Sequence, residues 1–181
     1  MDIKVFSNSS PLNQGEFEQF YALMEASFPE CERKTKDEFL SLCKVNKLYK
    51  VYGAFEENIL IGFFTVWEFN SFTFGDHFAV LPSFRNRGIG SLILKHIKEN
   101  SNLPLIIEVE YPNELMAEKR LNFYLRNDFK QNSFDYLLPP MQEGYEPLPM
   151  IILSYPKLIS ETDFIEMRSV IYKEVYNGFT L

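Results

Sequence analysis

The stretch from Val80 to Ser91 constrains the fold most, because it passes from a strand pattern to a helix pattern through a glycine-rich turn. Positions 72–80 are rich in β-branched and aromatic residues, and apolar residues at helical spacing follow Gly88. Gly88 and Gly90 allow a ligand to approach the backbone closely. The first amide groups of a helix lack internal acceptors and favour anions. The stretch therefore predicts a phosphate-binding turn.

Positive charge is concentrated around this turn. No acidic residue occurs between His77 and Lys98, whereas four basic residues lie there. The whole chain carries a formal charge of −7, from 18 basic and 25 acidic residues, which disfavours nucleic acid as a partner. A glycine-rich helix start with solvated arginines is the alternative interpretation. Seven residues are candidate phosphate ligands, mainly through their backbone: Arg85, Asn86, Arg87, Gly88, Ile89, Gly90 and Ser91.

The order of strand and helix patterns predicts the fold class. Seven segments have strand character: 2–6, 49–55, 59–67, 72–80, 103–110, 129–136 and 150–153. Five segments have an apolar helical stripe: 13–28, 35–43, 88–100, 114–127 and 160–177. We expect one domain, 1–181, of the α/β (α+β) class, with a mixed, mostly antiparallel central sheet of about six to seven strands flanked by helices. The last helix is extra, and proline-rich 138–149 is expected to form a long loop or lid.

Two motifs resemble those of the GNAT superfamily of N-acetyltransferases. Arg85-x-x-Gly88-x-Gly90 resembles the signature whose backbone amides hold the pyrophosphate of coenzyme A. The segment 120–129, which contains Phe123-Tyr124 and ends in Phe129, resembles the family's helix ending in Phe-Tyr-x-x-x-Gly-Phe. The resemblance implies a GNAT-like acyl-CoA N-acyltransferase fold, acetyl-CoA as co-substrate, and a small-molecule or peptide amine as acceptor. No metal is expected, because the two cysteines have no histidine nearby at ligand spacing.

The resemblance also implies coenzyme contacts, and two positions depart from the family pattern. The main chain of Phe78 and Val80 is expected to contact the pantetheine arm. Ala117 stands where the family often has asparagine, so that contact is either missing or supplied by Asn113 or Asn122. Asp128 replaces the usual glycine before the final phenylalanine, and we expect it to adopt the left-handed conformation.

Acetyl transfer needs a proton donor for the leaving thiolate and a way to deprotonate the amine. By resemblance Tyr124 is the donor, and a phenol keeps its proton at neutral pH; a purely structural tyrosine is the alternative. For the base, Glu110 and Glu108 share one strand face roughly 7 Å apart, so their repulsion could raise one pKa. His77 is a third candidate, and a water chain or a group not yet named is a fourth.

The acceptor site is expected where the first two helices join, because this segment often walls the acceptor pocket in the family. It carries Glu30 and Glu32, and Tyr145 of the proline-rich loop could close over it. Carboxylates would suit a cationic amine, and ordinary surface loops are the alternative.

The chain lacks a basic N-terminal region before an apolar stretch, and apolar runs such as 59–66 are far too short to span a bilayer. We therefore expect a cytoplasmic protein without a membrane partner. The sequence does not fix the oligomeric state, and a homodimer is compatible with it. It predicts an acetyl-CoA-dependent N-acetyltransferase. The alternatives are a non-catalytic acyl-CoA-binding module and a nucleotide-phosphate-binding regulatory domain.

Overall fold

The computed structural model describes residues 1–140 and 144–179, which form two compact units that divide between Asn102 and Leu103. These residues contain eight β-strands: β1 (Asp2–Phe6), β2 (Tyr49–Glu56), β3 (Ile59–Glu68), β4 (Thr73–Val80), β5 (Leu105–Glu110), β6 (Lys130–Gln131), β7 (Tyr136–Leu138) and β8 (Leu148–Tyr155). They also contain five α-helices: α1 (Gln14–Ser27), α2 (Lys36–Val45), α3 (Ile89–Asn100), α4 (Leu115–Arg126) and α5 (Glu161–Glu174). Short 3-10 helices lie at Glu30–Glu32 and Pro82–Phe84.

In the first unit, β1 to β4 form an antiparallel ladder in sequence order. Helices α1 and α3 pack against these strands, and Phe20 of α1 meets Phe63 of β3 with ring centres 4.8 Å apart. Asn13 and Glu16 form a capping box that starts α1. The capping box that starts α1 and the strongly apolar strands of the first unit therefore together produce the core of this unit.

β4 departs from the regular ladder at one place. Phe64 pairs with Phe78 and Val66 pairs with Gly75, so Thr65 of β3 faces two residues of β4, Asp76 and His77. This arrangement is a β-bulge, in which the ladder is interrupted and side chains are redirected. The backbone amide of His77 donates to Thr65 Oγ1 at 2.9 Å, so the bulge leaves this buried donor satisfied.

In the second unit, β8 pairs antiparallel with β5, β6 and β7. Helix α4 packs against β5. The C-terminal helix α5 is fixed to this unit by a hydrogen bond of 2.7 Å from the Tyr172 hydroxyl to the Leu137 carbonyl, and by stacking of Phe164 on Phe134.

The expected fold class is confirmed, and the described residues contain one strand more than the seven expected. The segment 129–136 forms two short strands because buried Asn132 interrupts it, its amide nitrogen donating to Ser154 Oγ at 2.9 Å and its amide oxygen accepting from the Ile159 backbone at 3.1 Å. The proline-rich irregular segment is shorter than expected, since β7 and β8 extend into it and leave 139–147 between them. Residues 141–143 of the expected loop lie outside the described residues.

No helix among residues 1–140 and 144–179 is both long enough and apolar enough to cross a membrane.

Candidate functional site

The predicted phosphate-binding turn joins β4 to α3. After the Pro82–Phe84 turn, Asn86 and Gly88 both have left-handed backbones, with φ of 62° and 79°. Asparagine and glycine are the residues that adopt this conformation most readily. Gly88 is the N-cap of α3, and in this described stretch no side chain caps the helix. The first amide groups of α3 therefore have neither an intrahelical acceptor nor a capping oxygen, which is the condition for binding an anion.

Both arginines of the turn are held close to it. Arg85 Nε donates to the Val80 carbonyl at 3.1 Å, and the Arg87 guanidinium lies 4.9 Å from the centre of the Phe84 ring. Both residues are exposed. Their positive charges therefore add to the helix dipole beside the amide groups.

Gly62 of β3, which the sequence reasoning missed, allows the turn to lie close to the sheet. A Cβ atom at this position would lie 3.1 Å from the Ala79 carbonyl oxygen and 3.2 Å from Val80 Cγ2. It would also lie 3.5 Å from Ile89 Cγ2 of α3. A glycine within a strand is the signal that could have revealed this close approach.

The predicted pantetheine contacts, Phe78 and Val80, lie on the last part of β4. The Phe78 ring packs against Phe64 at 4.8 Å, and the Val80 carbonyl accepts the Arg85 hydrogen bond. Contact of their main chain with a coenzyme stays a prediction.

A cavity of about 530 Å³ lies in the second unit, beside the start of α4. Ala117 and Asn113 both line it, whereas Asn122 is not among its lining residues. Of the two asparagines considered as substitutes at the Ala117 position, Asn113 therefore faces the same space. The other lining residues are Glu110, Tyr111, Glu114, Met116, Arg120, Leu148, Pro149 and Met150.

Tyr124, the predicted proton donor, is buried in α4 between the rings of Phe123 and Phe129, whose centres are 5.1 and 5.4 Å away. Burial raises the pKa of the Tyr124 phenol and Arg120 lowers it, with a net rise above 10.0. The phenol therefore keeps its proton at neutral pH, as a general acid must.

The end of α4 adopts the expected conformation. Asp128 has φ of 65°, so its prediction as a left-handed residue is confirmed. The amide of Phe129 donates to the Tyr124 carbonyl and that of Asp128 donates to the Leu125 carbonyl, at 3.2 and 3.1 Å. This hydrogen-bond pattern is a Schellman motif, and it fixes the backbone of the turn that contains Tyr124.

The two candidate bases on β5 have separate partners. Glu108 accepts hydrogen bonds from the phenols of Tyr136 and Tyr176, and Glu110 forms an ion pair with Arg120 on the cavity wall. Each partner stabilises the ionised carboxylate. The contacts therefore engage each carboxylate with groups other than its neighbour on β5.

His77, the third candidate base, is buried, and each of its two ring nitrogens contacts a neighbouring oxygen. Nε2 lies 2.9 Å from the Glu32 carbonyl oxygen, and Nδ1 lies 3.0 Å from Asp76 Oδ1. Burial acts to lower the pKa of His77, but the charge of Asp76 and the hydrogen bonds raise it overall. A histidine that holds its proton in this way is a poor base at neutral pH.

The candidate acceptor residues lie in different units. Glu30 is exposed and Glu32 half-buried in the 3-10 helix between α1 and α2, and Tyr145 is exposed in the 139–147 segment. The backbone of Glu32 is held by His77, so this part of the first unit is anchored to β4.

Four residues that contact the candidate bases were absent from the predicted site: Asp76, Arg120, Tyr136 and Tyr176. Arg120 lies in the 120–129 motif, within the predicted helix. Its position there, ten residues after Glu110, was the only signal for its role. Tyr136 and Tyr176 lie 28 and 68 residues from Glu108, so no local pattern indicates them. Within the described ranges, no group of three or more His, Cys, Asp and Glu side chains could hold a metal ion.

Comparisons with known proteins bear on the family and the fold of this chain. A family model described as an acetyltransferase (GNAT) domain matches residues 47–131. A solved structure from Bacteroides thetaiotaomicron, named a putative acetyltransferase of the GNAT family, is 30% identical, with a TM-score of 0.88 and coverage of 99% of this chain and 100% of that one. The Bacillus subtilis protein named putative acetyltransferase YjbC is 29% identical over 160 residues, covering 87% of this chain and 81% of its own.

A more distant structure, an aminoglycoside 6'-N-acetyltransferase complexed with coenzyme A, has 16% identity and a TM-score of 0.65, covering 89% of this chain and 100% of that one. The element order and the turn between β4 and α3 thus define an acetyltransferase fold. The chain belongs to the GNAT acetyltransferase family.

Proposed function

We propose that this protein transfers the acetyl group of acetyl-CoA to a primary amine of a small molecule or peptide, by direct attack in a ternary complex. The observation that carries the proposal is the uncapped start of α3, entered through left-handed Asn86 and Gly88. In a GNAT chain, this is where an anionic coenzyme would be held.

The turn would bind the diphosphate of the coenzyme through the backbone amides of residues 86–91, since the Arg85 amide already donates to the Pro82 carbonyl at 3.3 Å. Arg85 and Arg87 would add positive charge without moving far, since each is anchored to the turn. Asn113 and the wall at Ala117 offer a polar group and a small side chain along the cavity beside α4. We propose this cavity as a place for the uncharged part of a ligand.

In the reaction, the amine nitrogen attacks the thioester carbonyl carbon, and the carbon–sulfur bond breaks as the amide forms. Tyr124 would give its proton to the departing sulfur and regain one from solvent. The attacking nitrogen becomes positively charged and must lose a proton, and a positively charged adduct needs only a weak base. The products are the N-acetylated amine and the free thiol of coenzyme A.

Glu110 is the candidate base that the contacts favour. It lines the cavity with 39% of its side chain exposed, so a ligand or a water molecule can reach it. Arg120 would keep its carboxylate oriented. Glu108 and His77 have their polar atoms committed to buried partners, which favours supporting roles for both.

Thiol release tests the proposal. The purified protein is mixed with acetyl-CoA and a panel of polyamines, amino acids, aminoglycosides and peptides, and products are identified by mass. We expect amine-dependent release, and Tyr124→Phe should reduce kcat by about 100-fold because general acid catalysis is lost. Glu110→Gln should reduce the rate similarly, whereas Glu166→Gln, at an exposed position of α5, is a matched control. Binding of coenzyme A without turnover across the panel would instead favour a non-catalytic binding module.

A further inference from the structure

We propose that His77 is a positioning residue, whose two ring nitrogens tie the Phe28–Arg33 loop to β4. The proposal rests on the proposed function only where it assigns this loop to the acceptor side of the site. The tie itself follows from contacts within the first unit.

The chemistry of the two ring contacts fixes the state of the imidazole. A carbonyl oxygen can only accept a hydrogen bond, so Nε2 must carry a proton to bind the Glu32 carbonyl at 2.9 Å. In the neutral ring, Nδ1 would then direct its lone pair at the Asp76 carboxylate 3.0 Å away, which would be repulsive. With Asp76 ionised, as its lowered pKa indicates, the arrangement requires a proton on both nitrogens and an imidazolium–carboxylate pair. The contact to Asp76 is an ion pair rather than a well-aligned hydrogen bond.

The surroundings hold this pair away from water. Each of the two side chains is only 4% exposed, and the rings of Phe28 and Phe39 meet the imidazole edge-on at 4.8 and 5.7 Å. Trp67 Nε1 also donates to Asp76 Oδ2, at 3.2 Å. A buried ion pair with an aromatic enclosure is costly to break, because removal of either partner leaves an unpaired charge.

Two other titratable groups face the pair. The charge of Lys34, beside the loop, acts to lower the pKa of both His77 and Asp76. The buried phenol of Tyr49 on β2 also lies near Asp76, which helps to raise the pKa of that phenol. Neither group replaces the contact between Asp76 and His77, so the imidazolium remains the link to the loop.

The loop has a second anchor, which shows why the position of Glu32 depends on His77. Arg33 donates to the Tyr21 hydroxyl at 2.8 Å and lies 3.6 Å from Glu25, so it attaches the loop to α1. His77 supplies the attachment to β4, the strand that leads into the phosphate-binding turn. Through this attachment, the carboxylates at positions 30 and 32 would keep a fixed distance from β4, the strand that is predicted to contact the coenzyme.

Hydrogen exchange on the intact protein tests the tie. His77→Leu removes both contacts, and exchange of the 28–35 peptide should accelerate by about tenfold or more, since a charged hydrogen bond is lost. His77→Gln keeps a side-chain N–H for the Glu32 carbonyl and should restore protection to within about threefold of the wild type. His96→Gln, at the other histidine of the chain, is the matched control and should leave the loop unchanged.

Two further measurements decide the outcome. Nitrogen NMR should show both His77 nitrogens protonated in the wild type at pH 7.5; a neutral His77 ring would overturn the proposal, even if His77→Leu does not fold.

With the amine that the wild type acetylates best, His77→Gln and His77→Leu should raise the amine KM, by about tenfold for Leu, and leave the acetyl-CoA KM within about twofold. Unchanged loop exchange in His77→Leu, or an equal rise in both KM values, would overturn it. If no amine is acetylated, the proposed function fails, while exchange and NMR still decide the tie.

Discussion

The hydroxyl of Tyr176 donates a hydrogen bond of 2.9 Å to Glu108 Oε2, although the two residues lie 68 positions apart. The other carboxylate oxygen accepts a hydrogen bond from Tyr136 of β7. The segment after α5, which lies beyond the family-model match, thus stabilises a charge on β5. The extra helix is therefore an integral part of the second unit.

Tyr176→Phe should lower the free energy of unfolding by about 1.5–3 kcal/mol, because a half-buried carboxylate loses one of its two phenol donors. Urea unfolding measures the loss. Tyr172→Phe is the matched control, since its hydroxyl binds the neutral Leu137 carbonyl, and it should cost about 1 kcal/mol. Equal losses for the two variants would contradict a charge-dependent role for Tyr176.

Gly88→Val should weaken coenzyme A binding by about tenfold or more, because a β-branched residue resists the left-handed backbone that opens α3. Calorimetric titration with coenzyme A provides the measurement. Gly178→Val is a matched control: φ is 81° there, and a Cβ also meets nothing within 4 Å. The control should lose similar stability and keep its coenzyme affinity. Unchanged affinity in folded Gly88→Val would refute the placement of the diphosphate.

Arg85→Ala should weaken coenzyme A binding more at low than at high ionic strength, because salt screens an exposed charge. We expect a loss of about tenfold at 20 mM salt and about threefold at 500 mM. Arg85→Lys keeps the charge but lacks the Nε contact to the Val80 carbonyl, so it separates the two contributions. A loss that is the same at both salt concentrations would assign Arg85 a structural role only.

The pair of Asp76 and His77 should make stability depend on pH in two opposite ways. The folded pKa of His77 is raised above 6.5, so its contribution is complete below pH 6.5 and is lost as the pH rises through the folded value. The folded pKa of Asp76 is lowered below 3.8, so its contribution is complete above that pH and is lost as the pH falls through the folded value. Urea unfolding of the wild type and His77→Gln from pH 2 to 10 measures both. If the two proteins share one pH profile above 6.5, the buried imidazolium is refuted.

Features that depend on neighbouring residues could be predicted from the sequence. Thr35 and Glu38 form the expected capping box, and Ser160 caps α5 as expected. The left-handed Asp128 follows from a local motif as well. These signals depend on a few consecutive side chains and their own backbone, so tertiary structure hardly alters them.

Contacts between distant positions could not be predicted in this way. The two β5 carboxylates share a strand face, as alternation requires, but their partners come from β7, α4 and the end of the chain. Similarly, Asp76 and His77 are adjacent, and a regular strand would place them on opposite faces. The single-domain organisation, the cytoplasmic location and the acceptor amine stay predictions.

The bulge in β4 also determines what a sequence alignment of relatives would reveal. Two residues of β4 face one residue of β3, so the strand contains one residue more than a regular ladder would need. A relative in which this position is a gap could pair the strands regularly, and it would then direct its acid and its histidine to opposite sides. The length of this short strand, read together with the acid–histidine pair, would therefore distinguish homologues that retain the buried ion pair from those that have replaced it.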